Sequence, residues 1–305
     1  MSFSINKKGS TPNNSGDAQG QFELLKREYS KLQQEVSKLK ADNRLLIDQY
    51  EQMQKGQMEY LQNVSHQLVA PLNAMKWHIE NLTEGRLGIE RIRKVLRSIY
   101  SQATISVHLA KNFALMSNLE ADHKLSALRE PLQPVNLCRL MVNLADDFQP
   151  MGWDKDVKTK VIDEPLDSAP EVLVIKPLIS QVFSNVIENA VKYSASGNTI
   201  NIYGQHNPES GTVSVSISNK GISLSTDGIE NIFARGYRGT EARNIYPAGT
   251  GYGMYIAKAI VDIHEGNITA HTDETGRVVF TVTLSVKKLA GKARQRAAKD
   301  DTYYR

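Results

Sequence analysis

A seven-residue hydrophobic repeat dominates the N-terminal part of the chain. Apolar residues recur at Leu25, Leu32, Leu39, Leu46 and Met53, and a second set fills the steps between them at Phe22, Tyr29, Val36, Asn43 and Tyr50. Alternating steps of three and four residues are typical of a coiled-coil seam. Asn43 at a seam position favours two parallel strands in register, because the two amides can then pair. The pattern predicts a parallel coiled coil over residues 21–60, with a helix packed on its own domain as the alternative.

The repeat changes step near His66 and then continues as a helical hairpin. Val64, Leu68 and Leu72 are four residues apart, a stutter that relaxes the supercoil. Pro71 lacks an N–H and crowds the preceding turn, so we expect the helix to bend or loosen just after His66. A second apolar helix follows a short turn at residues 84–88. The sequence predicts that residues 61–120 dimerise into a four-helix bundle that carries His66.

An α/β pattern follows a proline-containing linker over residues 121–134. Alternating apolar residues predict strands at Val172–Ile175, Thr199–Tyr203, Thr212–Ser218, Asn267–His271 and Val278–Ser285. Helical periodicity predicts helices at about Leu137–Phe148, Pro177–Tyr193 and Tyr252–His264. Helices grouped among mostly antiparallel strands indicate a two-layer α/β sandwich over residues 135–286. The predicted fold class is therefore multi-domain, α and α/β.

Both ends of the chain differ in composition from the parts between them. Residues 1–20 hold almost no apolar side chains and are expected to be disordered. The net charge of +4 comes from the tail 287–305, whose local charge is +5. No basic cluster marks a nucleic-acid-binding body, and no apolar run reaches the roughly 20 residues of a membrane span. With Cys138 as its single cysteine, the chain is expected to be a soluble cytoplasmic protein with a disordered basic tail.

Two asparagines and a lysine share one stripe of a predicted helix. Asn185, Asn189 and Lys192 are four and three residues apart. Asparagine is unfavourable inside helices, so two on one face indicate a specific role. Amide oxygens suit Mg²⁺, and a neighbouring ammonium suits phosphate. A solvated polar face is the alternative.

A glycine cluster opens the last predicted helix. Gly249, Gly251 and Gly253 would let backbone N–H groups approach phosphate oxygens at a helix N-terminus. A flexible entry turn is the alternative. The preceding segment, residues 224–248, is long enough to form a functional lid. Arg235 and Arg238, together with Arg243, are placed to reach a triphosphate from it.

The ordered set of these motifs resembles that of the sensor histidine kinases. His66 with Leu68 and Pro71 resembles their phosphoacceptor box, and residues 185–193 resemble their asparagine box. The segment 219–224 is similar to the first glycine box, 232–239 to the phenylalanine box, and 249–253 to the second glycine box. The likeness spans residues 61–286 in the family's order. It implies a homodimer with an ATP-binding domain of the gyrase, Hsp90 and MutL type.

The resemblance also implies individual roles. His66 would attack the γ-phosphate of ATP, and Asn189 would bind Mg²⁺ with help from Asn185. Lys192 would contact phosphate and Tyr193 would pack near the adenine. Asn219 would face the adenine, and Gly221, in the first glycine box, would contribute to nucleotide binding. The phosphoryl group would then pass to an aspartate of a separate response regulator.

Three positions depart from the family's pattern. Gln67 replaces the acidic residue that follows the histidine, and an amide cannot take up the imidazole proton. Slow autophosphorylation is therefore expected, because general-base assistance contributes about 10²–10⁴-fold. Ala70 replaces the residue that positions water for dephosphorylation, so little phosphatase activity is expected. Asn219 replaces an aspartate that reads the adenine amino group, which weakens nucleotide binding.

These departures keep a second function open. A pseudokinase would use the same dimer as a nucleotide-binding or partner-binding scaffold without phosphotransfer. A chaperone or mismatch-repair ATPase of the same ATP-binding class is a third possibility, but those modules lack the preceding histidine bundle. Transfer within one protomer and transfer between protomers are both compatible with the sequence.

Overall fold

The computed structural model describes residues 15–84, 88–120, 130–162, 164–246 and 249–286. Its contacts divide the chain into two units, residues 1–60 and 61–305. The predicted basic tail, residues 85–87 of the predicted turn and residues 121–129 of the predicted linker lie outside the described residues. Among the described helices, none is long and apolar enough to cross a membrane.

The first unit is formed by the N-terminal part of helix α1 (Ser15–Glu84). The helix begins at Ser15, inside the segment 1–20 that was expected to be disordered, because extending an existing helix costs little once the heptads hold it. Its predicted seam is open to solvent within the single chain. Leu25 is 68% exposed, Leu39 61% and Met53 51%. An apolar seam left this open is what a coiled-coil strand presents to its partner.

The second unit starts with a helical hairpin. It consists of the C-terminal part of α1 and of α2 (Ile89–Glu120). Helical hydrogen bonding in α1 continues through Pro71, so the bend near His66 stays a prediction. A bond of 2.9 Å joins Ser98 Oγ on α2 to His78 Nε2 on α1.

A mixed α/β domain completes the second unit. Its helices are α3 (Leu137–Gly152), α4 (Lys176–Tyr193), α5 (Thr226–Asn231), α6 (Thr240–Ile245) and α7 (Gly253–Ile263). Its strands are β1 (Gln133–Val135), β2 (Lys158–Val161), β3 (Val172–Val174), β4 (Thr199–Asn207), β5 (Thr212–Asn219), β6 (Asn267–Thr272) and β7 (Val278–Ser285). Five strands form one sheet in the order β2-β4-β5-β7-β6, and β1 pairs with β3.

The sheet buries one face because its strands alternate apolar and hydroxyl side chains. Ile217 pairs with Phe280 and Val215 with Val282, all on the buried face. On the other face, hydroxyl pairs lie 2.8 Å apart at Ser214–Thr283 and Ser216–Thr281. Helices α3, α4 and α7 pack together on the apolar side. The prediction of a two-layer α/β arrangement is confirmed.

The five predicted strands are present, and the short elements are the ones that the sequence pattern missed. Strands β1 and β2 contain three and four residues, too few to display an alternation. Helices α5 and α6 have six residues each and lie in the segment expected to be a lid. Strand β2 is also the one parallel pairing in the five-stranded sheet, with β4.

A buried histidine connects two of these elements. His264 follows α7 and is 2% exposed. Its Nε2 accepts a hydrogen bond of 3.0 Å from the Ile175 N–H, and its Nδ1 donates to the Ile260 carbonyl at 2.8 Å. Burial lowers the pKa of His264, against the opposing effect of the Ile260 carbonyl. The neutral ring therefore fixes the residue at which α4 begins.

This arrangement predicts an acid-dependent loss of stability. Because the pKa of His264 is lower in the folded state than in the unfolded state, protonation favours unfolding. The stabilisation is fully present above the unfolded value of about 6.5 and declines as pH falls below it. Urea unfolding at pH 7 and pH 5.5 should show this decline in the wild type and a smaller one in His264→Gln. The matched change His271→Gln, at an exposed histidine, should keep the wild-type decline; an unchanged decline in His264→Gln would contradict the prediction.

Candidate nucleotide-binding site

Helix α4 is the element around which the candidate site is built. Pro177 stands in its first turn, where a missing N–H is harmless. Its apolar side chains, including Ile179, Val182, Phe183 and Val186, are fully buried against the sheet and the neighbouring helices. The remaining faces carry polar side chains, and these divide into two groups. Asn189 and Lys192 are partly exposed, whereas Gln181, Asn185 and Glu188 are buried.

The larger of two cavities at the C-terminal half of α4 has about 300 Å³ and fits a flat apolar group. Asn189 and Tyr193 lie on one side, and Asn219 stands at the end of β5. Asn219 is 3% exposed, and its side-chain amide has no hydrogen-bond partner among the described residues, so it is available to a ligand. The other lining residues are mostly apolar or small: Ile222, Ser223, Leu224, Ser225, Gly228, Ile232, Tyr237, Gly239, Thr240, Glu241, Ala242, Val278 and Phe280.

A second cavity of about 90 Å³ adjoins the first and is more polar. The two share Asn189 and Tyr193, which therefore stand where they meet. Lys192, Arg238, Gly249, Gly251 and Gly253 also line this smaller cavity. Three residues from the helical hairpin reach it as well: Gln67 from α1, and Leu109 and Asn112 from α2. His66 itself is exposed on α1, next to Gln67.

Two of the glycines are required by close backbone approach. A Cβ at Gly221 would lie 1.8 Å from the Tyr193 carbonyl oxygen, because the chain after β5 is pressed against the end of α4. Gly251 has a φ of +73°, and a Cβ there would lie 2.7 Å from backbone atoms of residues 236 and 237. Gly253 is less constrained, since its nearest contact would be Asn185 at 3.5 Å. Gly221 thus allows the chain after β5 to pack against the end of α4, and Gly251 allows the glycine cluster to pack against the lid segment.

The arginines of the lid segment occupy two different environments. Arg238 donates from its guanidinium to the carbonyls of Gly249 at 2.7 Å, Ala242 at 3.1 Å and Tyr246. It therefore fastens the lid segment to the glycine cluster while still lining the small cavity. Arg235 lies over the ring of Tyr252, 5.8 Å from its centroid, and is not among the residues lining either cavity.

An ion pair fixes the charge of Lys192, which lines the small cavity. Lys192 Nζ lies 2.5 Å from Glu188 Oε1, and His108 Nε2 on α2 lies 2.8 Å from Glu188 Oε2. Burial opposes ionisation of Glu188, but Lys192 and His108 outweigh it, so the pKa of this carboxyl lies well below its usual range. Burial also disfavours the charged Lys192, yet Glu188 raises the pKa of its ammonium. Lys192 is therefore a fixed cation, partly exposed toward the small cavity.

Asn185 has a different environment from the one that its sequence position suggests. It is 2% exposed, and its Oδ1 accepts hydrogen bonds of 2.8 Å from both His108 and Asn112. In this arrangement the oxygen is directed toward α2 and engaged there. Sequence reasoning missed His108, Asn112, Gln181 and Glu188 as members of the site. The available signal was that Gln181, Asn185, Glu188 and Lys192 form one continuous polar stripe of α4.

The donor set fits a nucleotide with Mg²⁺. Mg²⁺ is usually held by few protein oxygens together with substrate phosphates, and the partly exposed amide of Asn189 stands between the two cavities. No group of three or more His, Cys, Asp or Glu side chains suited to a metal occurs among the described residues. The flat cavity, the fixed ammonium and the glycine cluster match a base, a phosphate charge and phosphate oxygens, respectively.

Comparisons with known proteins agree with this chemistry. Residues 175–288 match the family described as histidine kinase-, DNA gyrase B-, and HSP90-like ATPase. The sensor histidine kinase WalK of Bacillus subtilis is 29% identical over 269 residues, which are 87% of this chain and 43% of that protein. The sensor protein kinase WalK of Staphylococcus aureus is 27% identical over 241 residues, covering 78% and 56%. This chain spans about half the length of these relatives.

Solved structures include similar proteins as well. The histidine kinase AdeS of Acinetobacter baumannii has 17% identity, and the match covers 73% of this chain and 98% of that chain with a TM-score of 0.46.

The strained glycine gives a testable prediction. Gly251→Ala should lower the free energy of unfolding by about 1–3 kcal/mol, because a side chain at positive φ is strained and the added methyl contacts backbone. Gly253→Ala is the matched control, since its methyl would make only ordinary contact with Asn185. Urea unfolding of both variants without nucleotide measures the difference. Equal stability of the two variants would show that Gly251 is not conformationally required.

Proposed function

Because this chain is a relative of the sensor histidine kinases with their type of ATPase domain at residues 175–288, we propose that it is an ATP-dependent protein-histidine kinase. The single observation that carries the proposal is the small cavity. It brings Asn189, Lys192 and the glycine cluster into one lining with Gln67, the neighbour of His66. A nucleotide-binding helix and the hairpin of the proposed phosphoacceptor thus meet at one place.

The proposed reaction transfers the terminal phosphoryl group of ATP to His66. A ring nitrogen of His66 forms a bond to the γ-phosphorus with its lone pair. The bond from that phosphorus to the β,γ-bridging oxygen breaks, and ADP leaves with the electron pair. The other ring nitrogen releases its proton to water, since the Gln67 amide cannot accept it. Asn189 would hold Mg²⁺, and Lys192 would offset phosphate charge.

The resulting phosphohistidine would pass its phosphoryl group to an aspartate of a separate response regulator. We also propose that the chain acts as a homodimer, which the exposed seam of α1 supports.

Little phosphatase activity is expected with Ala70 in place of a water-positioning residue. Measuring phosphate loss from a phosphorylated regulator tests this, and acceleration by the purified protein would contradict it.

A nucleotide-binding scaffold without phosphotransfer is the second candidate function. Gln67 beside His66 favours it, because it removes the usual proton acceptor. Asn219 in the base cavity and the engagement of Asn185 Oδ1 by α2 also favour it, since both weaken the expected ligand set. Nucleotide binding without label transfer to His66, even with a regulator present, would establish the scaffold.

The kinase proposal predicts a specific chemical label. Incubation with Mg²⁺ and ATP labelled at the γ-phosphate should give acid-labile, alkali-stable label on the chain. His66→Gln should abolish it, since no other imidazole is proposed to attack. His78→Gln, on the same helix, should keep the label and serves as the control. Label that survives in His66→Gln would overturn the assignment of His66.

The position after the histidine predicts a gain of activity. Gln67→Glu supplies a carboxylate that can accept the imidazole proton, so labelling should accelerate, by up to about 10²–10⁴-fold if full general-base assistance is restored. Gln62→Glu places the same charge on an exposed position of the same helix and should leave the rate unchanged. Initial rates at saturating ATP measure the effect. A slower Gln67→Glu would show that proton removal is not the limiting difficulty.

A further inference from the structure

A buried polar cluster joins the helical hairpin to the nucleotide-binding helix. We define it as His108 and Asn112 on α2 with Gln181, Asn185 and Glu188 on α4. Their exposed fractions are only 4%, 9%, 4%, 2% and 5%, in that order. Five polar residues enclosed together are unusual, because buried polar groups destabilise a protein unless they are hydrogen-bonded. The contact is therefore specific to these partners.

The hydrogen bonds of the cluster satisfy a neutral imidazole. Gln181 Nε2 lies 3.0 Å from His108 Nδ1, which must then be the acceptor. His108 Nε2 consequently carries the proton, and its two neighbours at 2.8 Å are the acceptors Glu188 Oε2 and Asn185 Oδ1. Both ring nitrogens are thus engaged without protonation of the ring.

Asn112 completes the cluster with one donor and one acceptor. Its Nδ2 donates to Asn185 Oδ1 at 2.8 Å, and its Oδ1 accepts from Gln181 Nε2 at 2.9 Å. His108 and Asn112 are one turn apart on α2, so a single face of that helix supplies both contacts. Removing either residue leaves buried polar groups of α4 without hydrogen bonds, which is unfavourable. The docked position of α4 on α2 and an undocked position are therefore two separate states.

The cluster has a positional consequence for the candidate site. Two members of the cluster on α4, Asn185 and Glu188, precede Asn189 and Lys192 on the same helix. Docking α4 on α2 therefore sets the distance between the nucleotide site and the hairpin. Gln67 and Asn112 line the small cavity together with Asn189 and Lys192 of the same chain. One chain thus places its own phosphoacceptor helix beside its own phosphate-binding residues.

We infer that His108, Asn112 and Gln181 are positioning residues that dock the ATP-binding domain on its own hairpin, so that the phosphoryl group passes to His66 of the same chain. The inference rests on the proposed kinase function and specifies its geometry. The bonds formed and broken are those already given: nitrogen to γ-phosphorus is made, ADP leaves, and the ring proton goes to water. A partner subunit contributes no reacting group.

Mixed dimers test transfer within one chain. One chain carries Asn189→Ala and keeps His66, and the other carries His66→Gln and keeps the nucleotide site; a size tag separates them. Neither chain should become labelled from γ-labelled ATP. A mixture of tagged wild type with His66→Gln should label the wild-type chain and, after cross-linking, shows that mixed dimers form. Label on the Asn189→Ala chain would overturn the inference, because it requires transfer between chains.

Substitutions in the cluster test the positioning role. Asn112→Leu should keep the nucleotide dissociation constant within a few-fold while labelling of His66 slows by about 10²-fold, the effect expected from a misplacement near 1 Å. His108→Gln keeps a donor toward Glu188 and should slow labelling less than His108→Leu does. Lys111→Ala, on the exposed face beside Asn112, is the matched control and should label at the wild-type rate.

The outcomes separate the inference from the proposed function. An unlabelled wild type would overturn the kinase assignment itself. A labelled wild type with equally active Asn112→Leu and His108→Leu would leave the kinase intact and overturn the docking role. Nucleotide binding, followed by the protection that nucleotide gives against thermal unfolding, confirms that the variants are folded. A variant that loses both binding and labelling would assign the cluster to folding alone and would also overturn the inference.

Discussion

The carboxylate of Glu188 connects three parts of the second unit: helix α4, the small cavity of the candidate site and the helical hairpin. It is 5% exposed, and an ion at such a position is stable only with close partners. One oxygen pairs with Lys192 at the phosphate end of the candidate site, and the other faces His108 on the hairpin. Loss of Lys192 would leave a buried charge without a counter-charge, and loss of His108 would leave a buried carboxylate oxygen without its hydrogen bond. The charge at Lys192 and the position of α2 therefore both depend on Glu188.

This coupling explains why α4 carries two kinds of polar residue. Its exposed amide and ammonium face the cavities, while its buried amides face α2. The apolar side chains of α4, such as Phe183 and Val186, anchor the helix on the sheet and keep both polar groups in register. A change in how α2 packs would consequently change the position of Lys192, because α4 is one continuous helix of 18 residues. No flexible connection is needed for such an effect.

Much of the fold could be predicted because regular elements imprint a period on the sequence. The alternation in Val278–Ser285 and the helical period in α4 are long enough to be recognised. Strand β2, with four residues, is too short to show a period, and its parallel pairing with β4 depends on distant residues. In the candidate site, the stripe of Asn185, Asn189 and Lys192 could be recognised as chemically unusual. The direction in which Asn185 points could not, because its partners His108 and Asn112 are 77 and 73 positions away.

The exposed seam of α1 has a consequence for how the two units respond to dilution. In the proposed homodimer, the N-terminal part of α1 would gain most of its stability from a second copy, whereas the α/β domain buries its own core. By mass action, the unfolding temperature of the N-terminal part of α1 would then rise with protein concentration. The α/β domain should unfold at a temperature that is independent of concentration. Heating a dilution series would therefore resolve one transition that moves and one that stays in place.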